Sequence, residues 1–476
     1  MEKKRKIEIY LLILIILFGA FLRLYYLSYQ PLWVDEATSS IASKMIVEKG
    51  KPILDSGAMY SRANFFHYFT AFFFLFGIND FTARLVSVIF GVLTILLGYF
   101  IGKEYSKTGG IVSALFFSVF FLEVFFSRQA RFYQLFQFMF FLSMYMLYKS
   151  GDNSSKRKNF YLYISLLSFL IAFDSQIAGI VLAPVIFFYI LIFSKKQKFL
   201  FIVPLAIMIY YFFPAAGLSS DSAATSVNYA KTYYSFSWNI KYLFILFIPG
   251  IFAGFLRKEK LTLLILLPSF MLLFLIFGLQ TIALRYAYFF VFPLVLYSFL
   301  TMAFLYDKLG KLILITILIL FIFPSNIFFP HTYVNVIVPI KYNYQYSDYT
   351  TPVTDYKYLS NIVKMKLSQE NITIISLFSS DVEWYIRKPD YVIPFTMDGR
   401  GDDQISYKKE NGEIVDIYSG SPIIDYSKKI NKPYYVLEDS FSYSKLKPFQ
   451  NTSYSKIIEN CTTVHNTDDL KIYECV

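Results

Sequence analysis

The chain is short of charge and of the residues that metal and redox chemistry use. Asp, Glu, Lys and Arg together make up 16% of its 476 residues, against roughly 25% in an ordinary soluble domain. It has two cysteines, Cys461 and Cys475, and three histidines, His67, His331 and His465, far apart along the chain. Two cysteines cannot build a disulfide scaffold, and the histidine spacing matches no zinc pattern. A Walker loop, a Rossmann glycine fingerprint, a G-x-S-x-G elbow, an internal repeat and a low-complexity run are all missing. These gaps exclude the common soluble enzyme classes and a disordered chain.

What fills the space is apolar. Hydrophobic residues make up 56% of the chain, with 54 Phe and 41 Tyr, and the mean hydropathy is +0.49. That composition predicts a polytopic α-helical membrane protein. About 20 apolar residues cross a bilayer core, and eleven spans are expected: 7–27, 84–102, 110–126, 132–148, 160–173, 177–193, 199–213, 239–256, 261–280, 286–306 and 312–329. The apolar stretch 64–77 is only 14 residues long, which fits an interfacial or re-entrant helix. No small-residue cleavage site follows 7–27, so it reads as a signal anchor.

The net charge of +12 reports topology rather than a nucleic-acid partner. With the MEKKRK start in the cytoplasm, the inner loops hold eighteen basic residues and the short outer loops four, Arg128, Arg131, Lys231 and Arg285. That is the positive-inside asymmetry. The expected localisation is the plasma membrane, with an outer C-terminus. Residues 1–330 then form the membrane domain, with outer loops at 28–83 and 214–238, and the more polar 340–476 form an extracytoplasmic α/β domain. Its strands are expected at 371–378, 433–438 and 470–475, and its helices at 355–368 and 380–387. Cys461 and Cys475 flank a possible hairpin there and are either bonded or two buried thiols. Sequons at Asn371, Asn451 and Asn460 suit an outer surface.

The informative polar residues gather at the outer face. Asp35 and Glu36 follow Trp33; they are either acids favouring a helix N-terminus or hold a general base for an acceptor hydroxyl. Arg128 and Arg131 stand at i and i+3, either snorkelling at an interface or gripping a lipid-linked phosphate. Glu123, inside the membrane, is a functional suspect or their partner. Arg285 is the lone charge between two apolar segments, with the aromatic Tyr286 beside it. The acids Asp398, Asp402 and Asp403 could bind calcium in principle, but an acidic solvated loop is the commoner case and calcium-loop spacing is missing; no cofactor is expected to be required, and a divalent metal is possible but not favoured.

One pattern resembles a known family. A first span, then PLWVDEA at 31–37, LFGINDFTAR at 75–84, A-R-x-Y through Ala130, Arg131 and Tyr133, and R-Y at Arg285 and Tyr286 is similar to the GT-C glycosyltransferases, in their protein O-mannosyltransferase and lipid A aminoarabinose transferase group. The resemblance implies inverting transfer from a polyprenyl-phosphate sugar donor to a protein, glycan or lipid acceptor at the outer face. It implies Asp35 as catalytic base beside Glu36, with Arg131, Arg285 and Arg128 at the donor phosphate. Glu123, Tyr133, Tyr286, Arg62 and His67 are further substrate-binding candidates. Asn64, Phe65, Phe66, His67 and Tyr68 stand where many members carry a proline-rich stretch, and Gln134 stands near a second family acid. The rival class is a transporter or flippase of lipid-linked sugars; a third is a scaffold without activity. Inverted repeats, frequent in transporters, are not visible.

Overall fold

A computed structural model describes residues 2–151, 156–193, 241–278, 284–310, 355–369, 371–377, 379–393, 406–409, 411–424, 433–439, 443, 454–467 and 470–476. The expected spans 199–213 and 312–329, the loop 214–238, the acids Asp398, Asp402 and Asp403, and the sequon at Asn451 lie outside them.

The membrane part opens with α1 (Glu2–Leu24), α2 (Val34–Lys49), α3 (Asn64–Phe74) and α4 (Asp80–Tyr105). It continues with α5 (Lys107–Val119), α6 (Phe121–Ser127), α7 (Tyr133–Ser150), α8 (Lys158–Ser175) and α9 (Leu182–Phe193). It closes with α10 (Lys241–Gly278) and α11 (Val291–Leu309). Among the described residues, three helices are long and apolar enough to cross a membrane: Lys6–Leu24, Asp80–Tyr105 and Ala287–Lys308. The chain is a membrane protein on that count. The expected spans 239–256 and 261–280 fall on α10, which breaks at Lys258 (φ −145°, ψ 63°). The stretch 64–77 is the 11-residue helix α3, about 16 Å long at 1.5 Å per residue and too short to cross.

The expected span 110–126 is apolar enough to cross as a bent pair of helices, not as one straight helix. It bends by 57° at Phe120, between α5 and α6. The cause is Arg23, buried in the last turn of α1. Its guanidinium donates to the carbonyls of Phe117 (2.9 Å), Ser118 (3.0 Å) and Gly19 (3.0 Å). A side chain inserted into a helix ladder produces such a kink, and in a membrane the freed carbonyls need that donor.

Local chemistry sets the helix ends around α2, α3 and α4. Asn79 starts α4 by accepting from the N–H groups of Phe81 and Thr82 at 3.0 and 3.1 Å. Gly50 stops α2 in the left-handed region, φ 73°. Asp174, at the end of α8, acts as a cap for α3: its carboxylate accepts from the Asn64 side chain (3.1 Å) and the Phe65 N–H (2.9 Å). Glycines join α4 to α5, since a Cβ on Gly102 would lie 2.5 Å from the Gly109 carbonyl, the close approach small residues give in membranes.

The C-terminal part carries α12 (Asn361–Leu367) and α13 (Ser379–Tyr385). Its strands are β1 (Thr373–Ser376), β2 (Tyr391–Val392), β3 (Ser406–Lys408), β4 (Ile414–Asp416), β5 (Tyr434–Asp439), β6 (Thr462–Asn466) and β7 (Leu470–Cys475). Five form one mixed sheet in the order β2-β1-β5-β7-β6. Strand β1 pairs in parallel with β2 and β5, while β7 runs antiparallel to β5 and β6. The three strands expected from sequence are its adjacent centre, β1, β5 and β7. Cys461 and Cys475 are disulfide-bonded, closing the β6–β7 hairpin.

This part docks on the segment between α1 and α4. Asp80, in the first turn of α4, accepts from Lys357 Nζ (2.7 Å), Trp384 Nε1 (2.9 Å) and the Tyr385 hydroxyl (3.1 Å). The hydroxyls of Thr38 and Ser380 meet at 3.0 Å, and Ser56 donates to the Ile417 carbonyl.

Candidate active site

Helix α2 carries the acid pair, and adjacent helical positions lie about 100° apart. The two acids therefore face different surroundings. Glu36 is buried, 1% exposed. Its carboxylate is gripped by Arg84, Nε to Oε1 at 2.9 Å and Nη2 to Oε2 at 2.8 Å. It also accepts from the Ala130 N–H (2.5 Å) and the Trp33 N–H (3.3 Å). Arg84 spends its other donors on the carbonyls of Leu27, Gln30 and Pro31 at 2.8–2.9 Å. Glu36, expected as a catalytic neighbour, binds α2, α4 and the 128–132 turn together.

Asp35 is the acid that reaches open space, with its side chain 29% exposed. Its Oδ2 lies 3.5 Å from Arg131 Nη2. Arg131 also donates through Nη1 to Ser39 Oγ (2.6 Å), the Asp35 carbonyl (3.0 Å) and the Tyr60 hydroxyl (3.4 Å). Its guanidinium sits 4.8 Å from the Phe132 ring and 5.5 Å from that of Tyr133, within cation–π reach of both. Tyr60, Ser39 and Tyr418 were not singled out by sequence. Tyr418 is close enough to Asp35 and Tyr60 for both to help burial push its hydroxyl upward in pKa.

The two expected arginines part company. Helix α6 ends at Ser127, so Arg128 and Arg131 share no helical face. Arg128 turns to the end of α1 and donates to the carbonyls of Leu22 (3.0 Å), Arg23 (3.1 Å), Tyr25 (2.7 Å) and Tyr26 (3.2 Å). It clamps a helix terminus, as orphan carbonyls require. Arg285 and Tyr286 lie in the 3-10 turn Leu284–Phe290. Arg62 is exposed before α3.

Glu123 pairs with neither arginine expected for it. Its carboxylate accepts from Gln137 Nε2 and the Tyr288 hydroxyl, both at 2.9 Å. Gln134 joins them, with Oε1 2.6 Å from the same Tyr288 hydroxyl, as the alternative acceptor of its one hydrogen, and Nε2 donating to Thr94 at 2.9 Å. Gln134 and Glu123, twelfth and first of the stretch 123–134, therefore share one buried network. His67 is fully buried, with Nδ1 3.2 Å from Ser43 Oγ and its ring 5.1 Å from that of Tyr60. Burial, then Arg131, lowers its pKa to about 3, so it is neutral at physiological pH and supports Tyr60 from behind.

The C-terminal part adds acids to the rim. Asp381 is buried, and burial followed by Asp439, Glu36 and Asp35 raises its carboxyl far above the ordinary range. A cleft of about 560 Å³ opens between α2, α4 and α13, lined in part by Lys44, Asp80, Lys357, Glu383 and Trp384. Burial, then Asp55, pushes Glu383 up to about 8. Its folded pKa lies above the unfolded value near 4.5, so its stabilisation is full below about pH 4.5 and is lost as pH rises through 8. Glu383→Gln should therefore flatten the fall in unfolding temperature between pH 5 and 9, as followed by thermal unfolding in detergent. An unchanged slope would remove Glu383 from that dependence.

Among the described residues, no group of three His, Cys, Asp or Glu side chains is arranged to hold a metal ion.

Residues 62–217 match the family model of dolichyl-phosphate-mannose-protein mannosyltransferase. Along nearly the whole chain, the structure matches that of ArnT from Cupriavidus metallidurans. In the apo state the TM-score is 0.63 at 10% identity, covering 98% of both chains. Bound to undecaprenyl phosphate it is 0.60 at 12% identity, again covering 98% of both. The fold is that of the GT-C glycosyltransferases. An Archaeoglobus fulgidus oligosaccharyltransferase, tethered with an acceptor peptide containing the NVT sequon, matches with a TM-score of 0.53 at 12% identity, over 80% of this chain and 63% of that one. No curated protein matches in sequence. Within this GT-C fold, the Asp35–Arg131 pair lies where the segment after α1 meets the turn before α7, with the C-terminal part docked alongside.

Proposed function

We propose that the chain is an inverting glycosyltransferase that takes a sugar from a polyprenyl-phosphate donor and passes it to a protein, glycan or lipid hydroxyl. The observation that carries the reading is a half-open carboxylate, Asp35, 3.5 Å from a buried arginine, Arg131, that aromatic rings flank. The basic loops favour a cytoplasmic N-terminus and an outer site. In the reaction the bond between the anomeric carbon and phosphate oxygen breaks while the acceptor oxygen bonds to the opposite face. The Asp35 carboxylate takes the acceptor proton. Arg131 stabilises the charge growing on the departing phosphate, which then needs no proton. Arg285 is the second phosphate candidate. The oxocarbenium-like carbon resembles that of glycoside hydrolysis.

The test is transfer in proteoliposomes from a labelled polyprenyl-phosphate sugar, with and without EDTA. A labelled covalent product, undiminished by EDTA, is expected. Movement of intact donor across the bilayer with no new glycosidic bond would overturn the reading in favour of a flippase, and metal-dependent turnover would point to a pyrophosphate donor.

A further inference from the structure

The lipid-facing side of α1 does not stop where the helix stops. Tyr10, Leu14, Leu17, Phe21 and Tyr25 recur at helical spacing and are all exposed. Helix α1 has 23 residues, about 34 Å at 1.5 Å per residue, enough to span the roughly 30 Å hydrocarbon core. The turn that follows it therefore lies in the headgroup layer. There the stripe passes to the C-terminal part. The rings of Tyr26 and Tyr29 meet edge to face at 6.1 Å, and Tyr29 lies 5.8 Å from Tyr358. The Tyr358 hydroxyl donates to the Tyr29 carbonyl, and Lys357 donates to the carbonyl of Ser28.

Three residues further on, α12 turns Leu367 and Val363 into the core of the C-terminal part. It leaves Ile362 and Met365 outward, 66% and 65% exposed. These two stand at i and i+3, so they share a face. On the other side of the junction, Phe76, Ile78 and Phe81 are also exposed, beside the Asp80 that Lys357 and Trp384 bind. Single exposed apolar residues are ordinary on a soluble surface, whereas contiguous ones mark contact. Here the exposed residues follow from a membrane helix through the Tyr26–Tyr29–Tyr358 contacts, so lipid is the cover that fits them.

We infer that the C-terminal part is seated in the membrane: α12 lays Ile362 and Met365 into the headgroup layer at the end of α1, with tyrosines 26, 29 and 358 as an interfacial belt. Tyrosine favours that layer because its ring is apolar and its tip is polar. On the same helix Lys364 donates to the Lys357 carbonyl and Lys366 lies 3.4 Å from Glu474, so Ile362 and Met365, not the lysines, carry the membrane contact. The seating fixes the height of the docked part above the bilayer independently of the reaction proposed for Asp35.

The two native cysteines are bonded to each other, so an introduced cysteine is the one thiol open to a label. Ile362→Cys, Met365→Cys and, as the control, Asn411→Cys on the exposed β3–β4 turn would carry an environment-sensitive fluorophore. The full chain would sit in nanodiscs of phosphatidylcholine and phosphatidylglycerol containing a lipid spin-labelled near its headgroup. Positions 362 and 365 are expected to show blue-shifted emission and several-fold stronger quenching than position 411. Equal, water-like emission at all three positions would overturn the inference. So would blue-shifted emission at 362 and 365 that the spin-labelled lipid fails to quench, because a protein partner would then cover the surface.

Discussion

Asp35→Asn should lower sugar transfer from a polyprenyl-phosphate donor by about 10²–10⁴-fold, the range a positioned general base supplies. The substitution keeps the side chain's shape. Arg131 retains its bonds to Ser39 Oγ and to the backbone carbonyl of residue 35 at 2.6 and 3.0 Å, so the unfolding temperature should stay near that of the parent. Steady-state transfer in proteoliposomes, read beside thermal unfolding, checks both halves. Turnover within a few-fold of the parent by a folded variant would remove Asp35 as the base. The loss should fall on turnover more than on donor affinity, because Arg131 remains to meet the phosphate.

The neighbouring acid should behave in the opposite way. Arg84→Met leaves Glu36 buried without its bidentate partner, and stranding a buried charge costs about 3–5 kcal/mol. It also releases the carbonyls of Leu27, Gln30 and Pro31. Glu36→Gln strands the guanidinium in turn. The double variant should be less destabilised than the two single losses added together, since neither charge is then left without its partner. Denaturant unfolding of the four proteins in detergent gives the coupling energy. Strict additivity would mean that the two side chains do not hold each other. Both single variants should also lose activity through unfolding, whereas Asp35→Asn should lose it while folded.

The contrast between Asp35 and Glu36 shows how far the sequence could be read. The pair itself was visible in PLWVDEA, as were Arg131, the positions of most helices and the three central strands. Which acid faces outward was not, because the answer depends on Arg84, 48 residues away. The i, i+3 spacing of Arg128 and Arg131 misled because it assumes a helix, and the chain there is a turn between two helices. Arg23 was hidden inside the first span, where a single arginine barely changes hydropathy yet bends a helix nearly a hundred residues on. The donors to Asp80 lie 277 to 305 residues away, a distance no local pattern bridges.

The first two turns of α4 hold two carboxylate contacts of unlike reach. Asp80 receives Lys357, Trp384 and Tyr385 from the C-terminal part, and Arg84, one turn later, grips the acid beside Asp35. The contacts that dock the C-terminal part and the clamp that fixes Glu36 therefore stand one helical turn apart on α4, so the two are not placed independently of each other.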